Sequence, residues 1–282
     1  MMNKICLVTG ANAGIGYAIS LGLAKMGATV VMVCRNKSRG EIAMAEIKEK
    51  SDTSSIALFI ADLSSQSSIR QLVTDFKMKF EKLDVLINNA GLITQNRSLT
   101  KDGLETQFAT NHLAPFLLTE LLLDSLKSSD SARVINISSN AHQTAIINFD
   151  DLQSEQEYKP KEVYQRTKLC TILFTYELAR QIEGTHITAN CLHPGVITTK
   201  LLQAYKGGNG GFGLMSKLLY GSPEKGAETA LYLASSSAVE GMSGKYFANK
   251  KWINSSKHSN DLRVAKQLWQ RSKSLTRQNR LH

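Results

Sequence analysis

Tyr164 and Lys168, in "VYQRTK", stand four residues apart, and a tyrosine and a lysine at that distance can form a proton-transfer pair. The same spacing recurs at Tyr246 and Lys250, in "GKYFANK". With 8 tyrosines and 23 lysines in 282 residues, about 0.7 such pairs arise by chance, so the spacing decides nothing by itself. The chemistry depends on what brings the two side chains together. An unperturbed phenol, with a pKa of about 10, is a poor base at neutral pH. An ammonium held close to it favours the phenolate and makes it a usable acid and base.

The elements around each pair separate them. Tyr164 and Lys168 fall in an amphipathic stretch, 163–182, where residues four apart share a helix face. It follows an apolar run, "ARVINISS" (132–139), ending in Ser138 and Ser139. Tyr246 and Lys250 start on a strand-like segment, where positions four apart are about 13 Å from each other. The first pair is the catalytic candidate and the second a coincidence.

Apolar β-branched runs alternate with helical patterns along the whole chain. Strands are expected at 4–10, 29–35, 55–63, 84–91, 132–139 and 187–195, with a seventh at 244–248. Helices are expected at 14–27, 38–50, about 65–80, about 104–126 and 163–182. Strands that are apolar throughout and separated by helices imply a parallel sheet covered on both faces. No linker or repeat interrupts the alternation, so residues 1–282 read as one doubly wound, Rossmann-type α/β domain of about seven strands.

"TGANAGIG" (9–16) joins the first strand to the first helix. Gly10 permits a tight turn, and Gly14 and Gly16 let the backbone approach a pyrophosphate at the helix N-terminus, where free N–H groups favour negative charge. The spacing is G-x-x-x-G-x-G, which departs from the usual G-x-G-x-x-G fingerprint. The second strand ends with Arg35, followed by Lys37 and Arg39, with no acid before Glu41. Arginine at that tip suits a 2′-phosphate, so NADP(H) is expected over NAD(H). Asp62 is placed to accept a hydrogen bond from an adenine amino group, or to cap the following helix, which Ser64 can also do.

Six motifs in order carry a resemblance: "TGANAGIG", "NNAG" (88–91), Asn111 in "TNHLAPF", "INISS" (135–139), "YQRTK" (164–168) and "HPG" (193–195). Together they resemble the short-chain dehydrogenase/reductase family over nearly the whole chain. The resemblance implies hydride exchange between a nicotinamide cofactor and an alcohol or carbonyl. Tyr164 would then be general acid in reduction and general base in oxidation, with Ser139 bonding the substrate oxygen. Lys168 would also hold the nicotinamide ribose, and Asn111 would position a water linking Lys168 to solvent. The resemblance further assigns the cofactor to Asn12, Ala13, Ile15, Leu63, Asn89, Pro194, Gly195, Val196 and Thr198. It places the catalytic serine last in the pair, at Ser139, and adjacent strand residues face opposite ways, so only one can serve.

The long segment 140–163, together with "NFDDL" and "LHPGVITTKL", resembles the retinol-dehydrogenase-like branch, which implies a lipophilic alcohol, aldehyde or ketone. Residues 199–222 hold a glycine-rich hinge and the apolar Phe212, Leu214, Met215, Leu218 and Leu219. They suit either a substrate lid or a helix packed on the body. Homo-oligomers are common in the family, and the helices near 104–126 and 163–182 are candidate interfaces.

Composition bounds the rest. Hydrophobic residues make up 42% and charged residues 21%, enough for a core and against wholesale disorder. No run approaches the ~18 apolar residues of a membrane span and the start lacks a signal-peptide pattern, so a soluble, cytoplasmic protein is expected. The four cysteines lie far apart and no His/Cys/acid set has metal spacing, so neither disulfide nor metal is expected. Of the net +10, residues 245–282 carry +9. That basic end, with 272–282 as a tail, suggests peripheral contact with an anionic membrane, or simply a solvated helix, and not specific nucleic-acid binding. His112 and His193 read as scaffold. A non-catalytic nucleotide-binding regulator and a nucleotide-sugar epimerase are the competing readings of the whole.

Overall fold

The computed structural model describes residues 1–195, 197 and 221–277. The expected lid thus lies outside the described residues except for its last two positions. Eight strands form one sheet in the order β3-β2-β1-β4-β5-β6-β7-β8. They are β1 Ile5–Thr9, β2 Thr29–Cys34, β3 Ile56–Ile60, β4 Val85–Asn88, β5 Ala132–Ile137, β6 Ile187–Leu192, β7 Tyr246–Ala248 and β8 Lys251–Ile253. All neighbours pair in parallel except β7 with β8.

The strand alternation sorts side chains to two faces. Cys6 and Val8 of β1, with Val30 and Met32 of β2, meet helices α1 (Gly14–Lys25) and α2 (Lys37–Ser51). Leu7, Val31 and Val33 meet α3 (Gln66–Lys79) on the other side. Both faces are covered, which is why the strands are apolar at every position. The chain then crosses from β3 to β4, reversing direction across the sheet and opening a crevice between the C-terminal ends of β1 and β4.

Three local departures from the sequence pattern matter. The helix expected over 104–126 is a composite: a short turn α4 (Thr106–Phe108), a π-helical turn at Ala109–Leu113, and α5 (Ala114–Lys127). Apolar periodicity cannot reveal a π turn, because one extra residue per turn shifts the face only locally. The second departure is an eighth strand. β8 has three residues, all exposed, and returns from β7 through a turn in which Asn249 and Lys250 take positive φ. A strand so short and so exposed carries no alternation signal.

The third concerns the basic end. Residues 272–276 do not belong to a tail but to a helix, α8 (Leu262–Thr276). It packs through Leu268 and Trp269, leaving Arg263, Lys266 and Arg271 in solvent. Trp269 lies edge-on to Phe116 of α5, ring centroids 5.0 Å apart, and stacks on Phe174 of α6 (Pro160–Gln181) at 5.9 Å. Part of the α5/α6 face offered as an interface is therefore covered by the chain's own C-terminal helix. A further helix, α7 (Pro223–Ser235), packs beside α1.

Candidate active site

The β1–α1 turn is built around close backbone approach. Gly10 has φ +65° and Gly14 φ +54°, conformations that a side chain disfavours. A β-carbon on Gly16 would collide with the Gly10 carbonyl oxygen, so that site admits only glycine. Asn89, just past β4, clamps the turn: its Nδ2 donates to the Thr9 carbonyl at 2.8 Å, and its own N–H donates to Thr9 Oγ1 at 3.0 Å. Ala13 at the N-cap of α1 is extended and offers no side-chain cap, and the first turn holds no acid. The first N–H groups of α1 thus face the crevice with a favourable dipole for an anion.

Arg35 stands exposed just beyond β2, and Asn36 rather than an acid caps α2, accepting from the Arg39 N–H at 2.9 Å. Asp62 lies two residues past the end of β3, and its Oδ1 accepts from both the N–H (3.0 Å) and the hydroxyl (2.8 Å) of Ser64. Neither caps α3. That role falls to Ser65, whose hydroxyl accepts from the Ser68 N–H.

At the other end of the crevice, Tyr164 and Lys168 share a face of α6, with the Lys168 Nζ 5.5 Å from the Tyr164 ring centroid. Lys168 is 3% exposed and donates to the Ile137 carbonyl at 2.9 Å. No carboxylate among the described residues pairs with it, and burial pulls its ammonium down to about 8. Ser138 lines the same crevice, but its hydroxyl proton is committed to the Lys168 carbonyl at 2.8 Å. Ser139 caps the 3-10 turn Asn140–Thr144, its Oγ accepting from the Ala141 N–H at 3.2 Å, which leaves its proton free to donate.

Asn111 sits in the π turn. Its Oδ1 accepts from the Leu92 N–H at 2.8 Å and its Nδ2 donates to the Leu92 carbonyl at 2.9 Å and to Thr167 Oγ1 at 3.1 Å. Gly91 separates it from the lysine: a β-carbon there would lie 3.4 Å from Asn111 Oδ1 and 3.6 Å from Lys168 Nζ.

A cavity of about 1180 Å³ joins the two ends. Gly10, Asn12, Ala13, Gly14, Ile15 and Gly16 line it, as do Arg35, Asp62, Leu63 and Asn89, then Ser139, Tyr164, Lys168, Pro194 and Gly195. Asn111 stands outside the lining, behind Gly91 and Leu92, while Val196 and Thr198 lie outside the described residues. A second cavity, about 780 Å³, opens at the opposite ends of β5 and β6 beside Arg133, Glu240 and Trp252, and receives none of the expected residues. Its place at the strands' N-terminal ends is the wrong side of a doubly wound sheet for a ligand.

Sequence reasoning missed His142, which bridges the Ser139 carbonyl and the Ser256 N–H. Its position three residues after Ser139 was the only available signal. His193 accepts from the Gly195 N–H through Nδ1 at 3.0 Å, and burial lowers its pKa. His112 donates through Nε2 to Ser272 Oγ at 2.8 Å, since the serine proton is committed to the Leu268 carbonyl. Fully buried, it is held neutral with a pKa of about 3. The four cysteines are free and buried, and no metal-holding cluster occurs among the described residues.

The sheet order and this crevice are those of a Rossmann-type doubly wound fold, with the cavity at its topological switch point. The family model for short chain dehydrogenase matches residues 4–209. The chain is 41% identical to human "Retinol dehydrogenase 14" over 95% of its own length and 85% of the relative's. It is 39% identical to human "Polyprenol dehydrogenase", covering 97% and 85%. Among solved structures, an uncharacterised protein from Mycobacterium paratuberculosis superposes with TM-score 0.80 at 30% identity, over 98% of this chain and 94% of that one. The "RhlG/NADP active-site complex" of Pseudomonas aeruginosa gives TM-score 0.71 at 26% identity, over 88% and 94%. The chain belongs to the short-chain dehydrogenase family, in its retinol-dehydrogenase-like branch, and is an oxidoreductase acting on CH–OH groups with a nicotinamide cofactor. No described helix is long and apolar enough to cross a membrane.

Proposed function

We propose that the protein is an NADP(H)-dependent oxidoreductase that interconverts a lipophilic alcohol with its aldehyde or ketone, using Tyr164 as general acid and base. The observation that carries this reading is the desolvated Lys168 ammonium beside the Tyr164 ring, without a carboxylate among the described residues to neutralise it. A buried, unpaired cation costs stability, and it is useful only where it favours a neighbouring anion. The phenolate of Tyr164 is that anion.

The residues at the far end fit a dinucleotide. The glycine cradle and uncapped α1 would hold the pyrophosphate, Arg35 with the neighbouring Lys37 and Arg39 would take the 2′-phosphate, and the free oxygen of Asp62 would take the adenine amino group. The bound cofactor supplies or accepts the hydride. Tyr164 delivers the proton to the substrate oxygen in reduction and removes it in oxidation. Ser139 donates a hydrogen bond to that oxygen as charge develops, and Lys168 lowers the cost of the phenolate. Asn111 acts behind them by holding Leu92 and Thr167, and so the floor of the pocket.

Two relatives named for retinol and polyprenol favour long isoprenoid-like alcohols as the substrate class. The test is to incubate purified protein with NADPH or NADH and a panel of retinal, long n-alkanals and small polar carbonyls, following absorbance at the nicotinamide band. Oxidation of NADPH with the lipophilic members is the expected result. Equal or tighter use of NADH would overturn the cofactor assignment. Cofactor binding without turnover on any member would favour the non-catalytic reading.

A further inference from the structure

We infer that His142 is a positioning residue for Ser139, holding the serine's backbone through a proton on Nδ1 whose location is fixed by Ser256. This rests on the reading of Ser139 as the group that bonds the substrate oxygen. The imidazole is fully buried, with Nδ1 2.7 Å from the Ser139 carbonyl oxygen and Nε2 3.1 Å from the Ser256 backbone nitrogen. A backbone N–H can only donate, so Nε2 is the bare nitrogen and Nδ1 carries the proton. That proton points at the Ser139 carbonyl, which also accepts from the His142 N–H at 3.2 Å. One carbonyl thus takes two donors from the same residue, and the ring is packed edge-on against Tyr246 at 5.0 Å.

The consequence for chemistry is geometric. Ser138, immediately before, is tied by its hydroxyl to the Lys168 carbonyl and by its N–H to the Leu192 carbonyl at 2.7 Å, so the residue before Ser139 and the peptide plane after it are each anchored. Between these anchors the Oγ of Ser139 is held at the cavity wall, and small losses of such placement are costly to rate. Ser256 belongs to the segment leading from β8 to α8, more than a hundred residues away in sequence. The C-terminal part of the chain therefore contributes to the site without lining it.

The experiment uses full-length protein, NADPH and decanal, with kcat, the KM for NADPH and the thermal midpoint read for each variant. His142→Asn places an amide N–H where Nδ1–H was but cannot reach Ser256, and kcat should stay within about threefold of the parent. His142→Gln places its amide oxygen where Nε2 was, keeps the Ser256 bond and loses the donor to Ser139; kcat should fall about thirtyfold with the KM for NADPH unchanged. In a Ser139→Ala background, His142→Gln should add nothing further, the mark of a residue acting through Ser139. Should His142→Gln fail to fold, the imidazole nitrogen chemical shifts of the parent protein, assigned by their loss in His142→Asn, serve instead. They should show a protonated Nδ1 and a bare Nε2 at neutral pH, and a proton on Nε2 would overturn the assignment. Losses in kcat that are equal for Asn and Gln and track melting, or that multiply in the Ser139→Ala background, would overturn the assignment. If Ser139→Ala alone left turnover intact, the role of Ser139 would fall instead, a distinct outcome.

Discussion

The two tyrosine–lysine pairs have the same spacing in the chain and share almost nothing in space. On α6 the spacing of four brings the ammonium of Lys168 to the ring of Tyr164, both buried, in the wall of the large cavity. At the sheet edge, β7 ends at Ala248, and Lys250 sits in the following turn with φ +62°. Its Nζ lies 2.9 Å from Glu228 Oε2 and is neutralised there. Tyr246 is left fully buried with a hydroxyl that finds no partner among the described residues, and burial raises its pKa further. Spacing supplies proximity only where the backbone is helical from one residue to the other. Proximity supplies chemistry only where the cation is not spent on a carboxylate.

The sharpest way to break this contrast is to remove each phenol hydroxyl in turn. Tyr164→Phe should cost on the order of 10³-fold in kcat, the usual worth of a positioned acid–base group, with the fold intact by circular dichroism. Tyr246→Phe removes a buried, unpaired oxygen and should leave kcat unchanged and the thermal midpoint equal or higher. Reversed outcomes in steady-state assays would put the proton chemistry at the wrong pair.

Lys168→Met should lower kcat on the order of 10²-fold while raising the thermal midpoint at pH 7. The sign follows from its pKa, about 8 in the fold against 10.5 for a free lysine side chain. Between those values the unfolded chain binds a proton that the native state does not, so native stability rises with pH across that window. Below about pH 8 the wild type carries the whole penalty, roughly 3 kcal/mol before the lost bond to Ile137 is counted against it. Calorimetry at pH 7 and pH 10 should therefore show the variant's advantage shrinking at the higher pH. A variant less stable than wild type at pH 7 would mean the ammonium is not desolvated as described.

How much of this was legible beforehand depends on which residues carry it. The doubly wound sheet, the glycine turn and the Tyr164–Lys168 face all follow from local periodicity, because each is set within a single strand, turn or helix. The eighth strand and the π turn at Asn111 were not legible. The first is too short and exposed to alternate, and the second is a one-residue irregularity inside an apolar helix. His142 was passed over for another reason: its partner Ser256 is distant in sequence, and only the folded chain puts them in contact. The assignment of Asp62 as a possible helix cap failed because Ser65, one serine further along, has the extended backbone a cap needs.

A smaller effect separates the adjacent serines. Ser139→Ala should reduce kcat about 10²-fold without loss of NADPH affinity, since it removes a donor to the developing charge. Ser138→Ala should leave kcat within a few-fold but lower stability by about 1 kcal/mol, because the Lys168 carbonyl loses its donor. Denaturant titration beside the kinetic assay distinguishes the two. The reverse pattern would place Ser138 at the substrate.

The least effect belongs to the turn that ends the second pair. Lys250→Gly relieves a left-handed backbone that costs a non-glycine residue about 1 kcal/mol, and Asn-Gly is the sequence such a hairpin turn prefers. Two changes oppose the gain. Glycine enlarges the unfolded ensemble, and Glu228 loses one of its two cations while keeping Lys225 at 3.1 Å. Exposed pairs of this kind contribute little, so the thermal midpoint should move by no more than a few degrees, in either direction, with kcat unchanged. A kcat loss comparable to that of Lys168→Met would show that the second lysine also serves the reaction, and the distinction between the pairs would no longer hold.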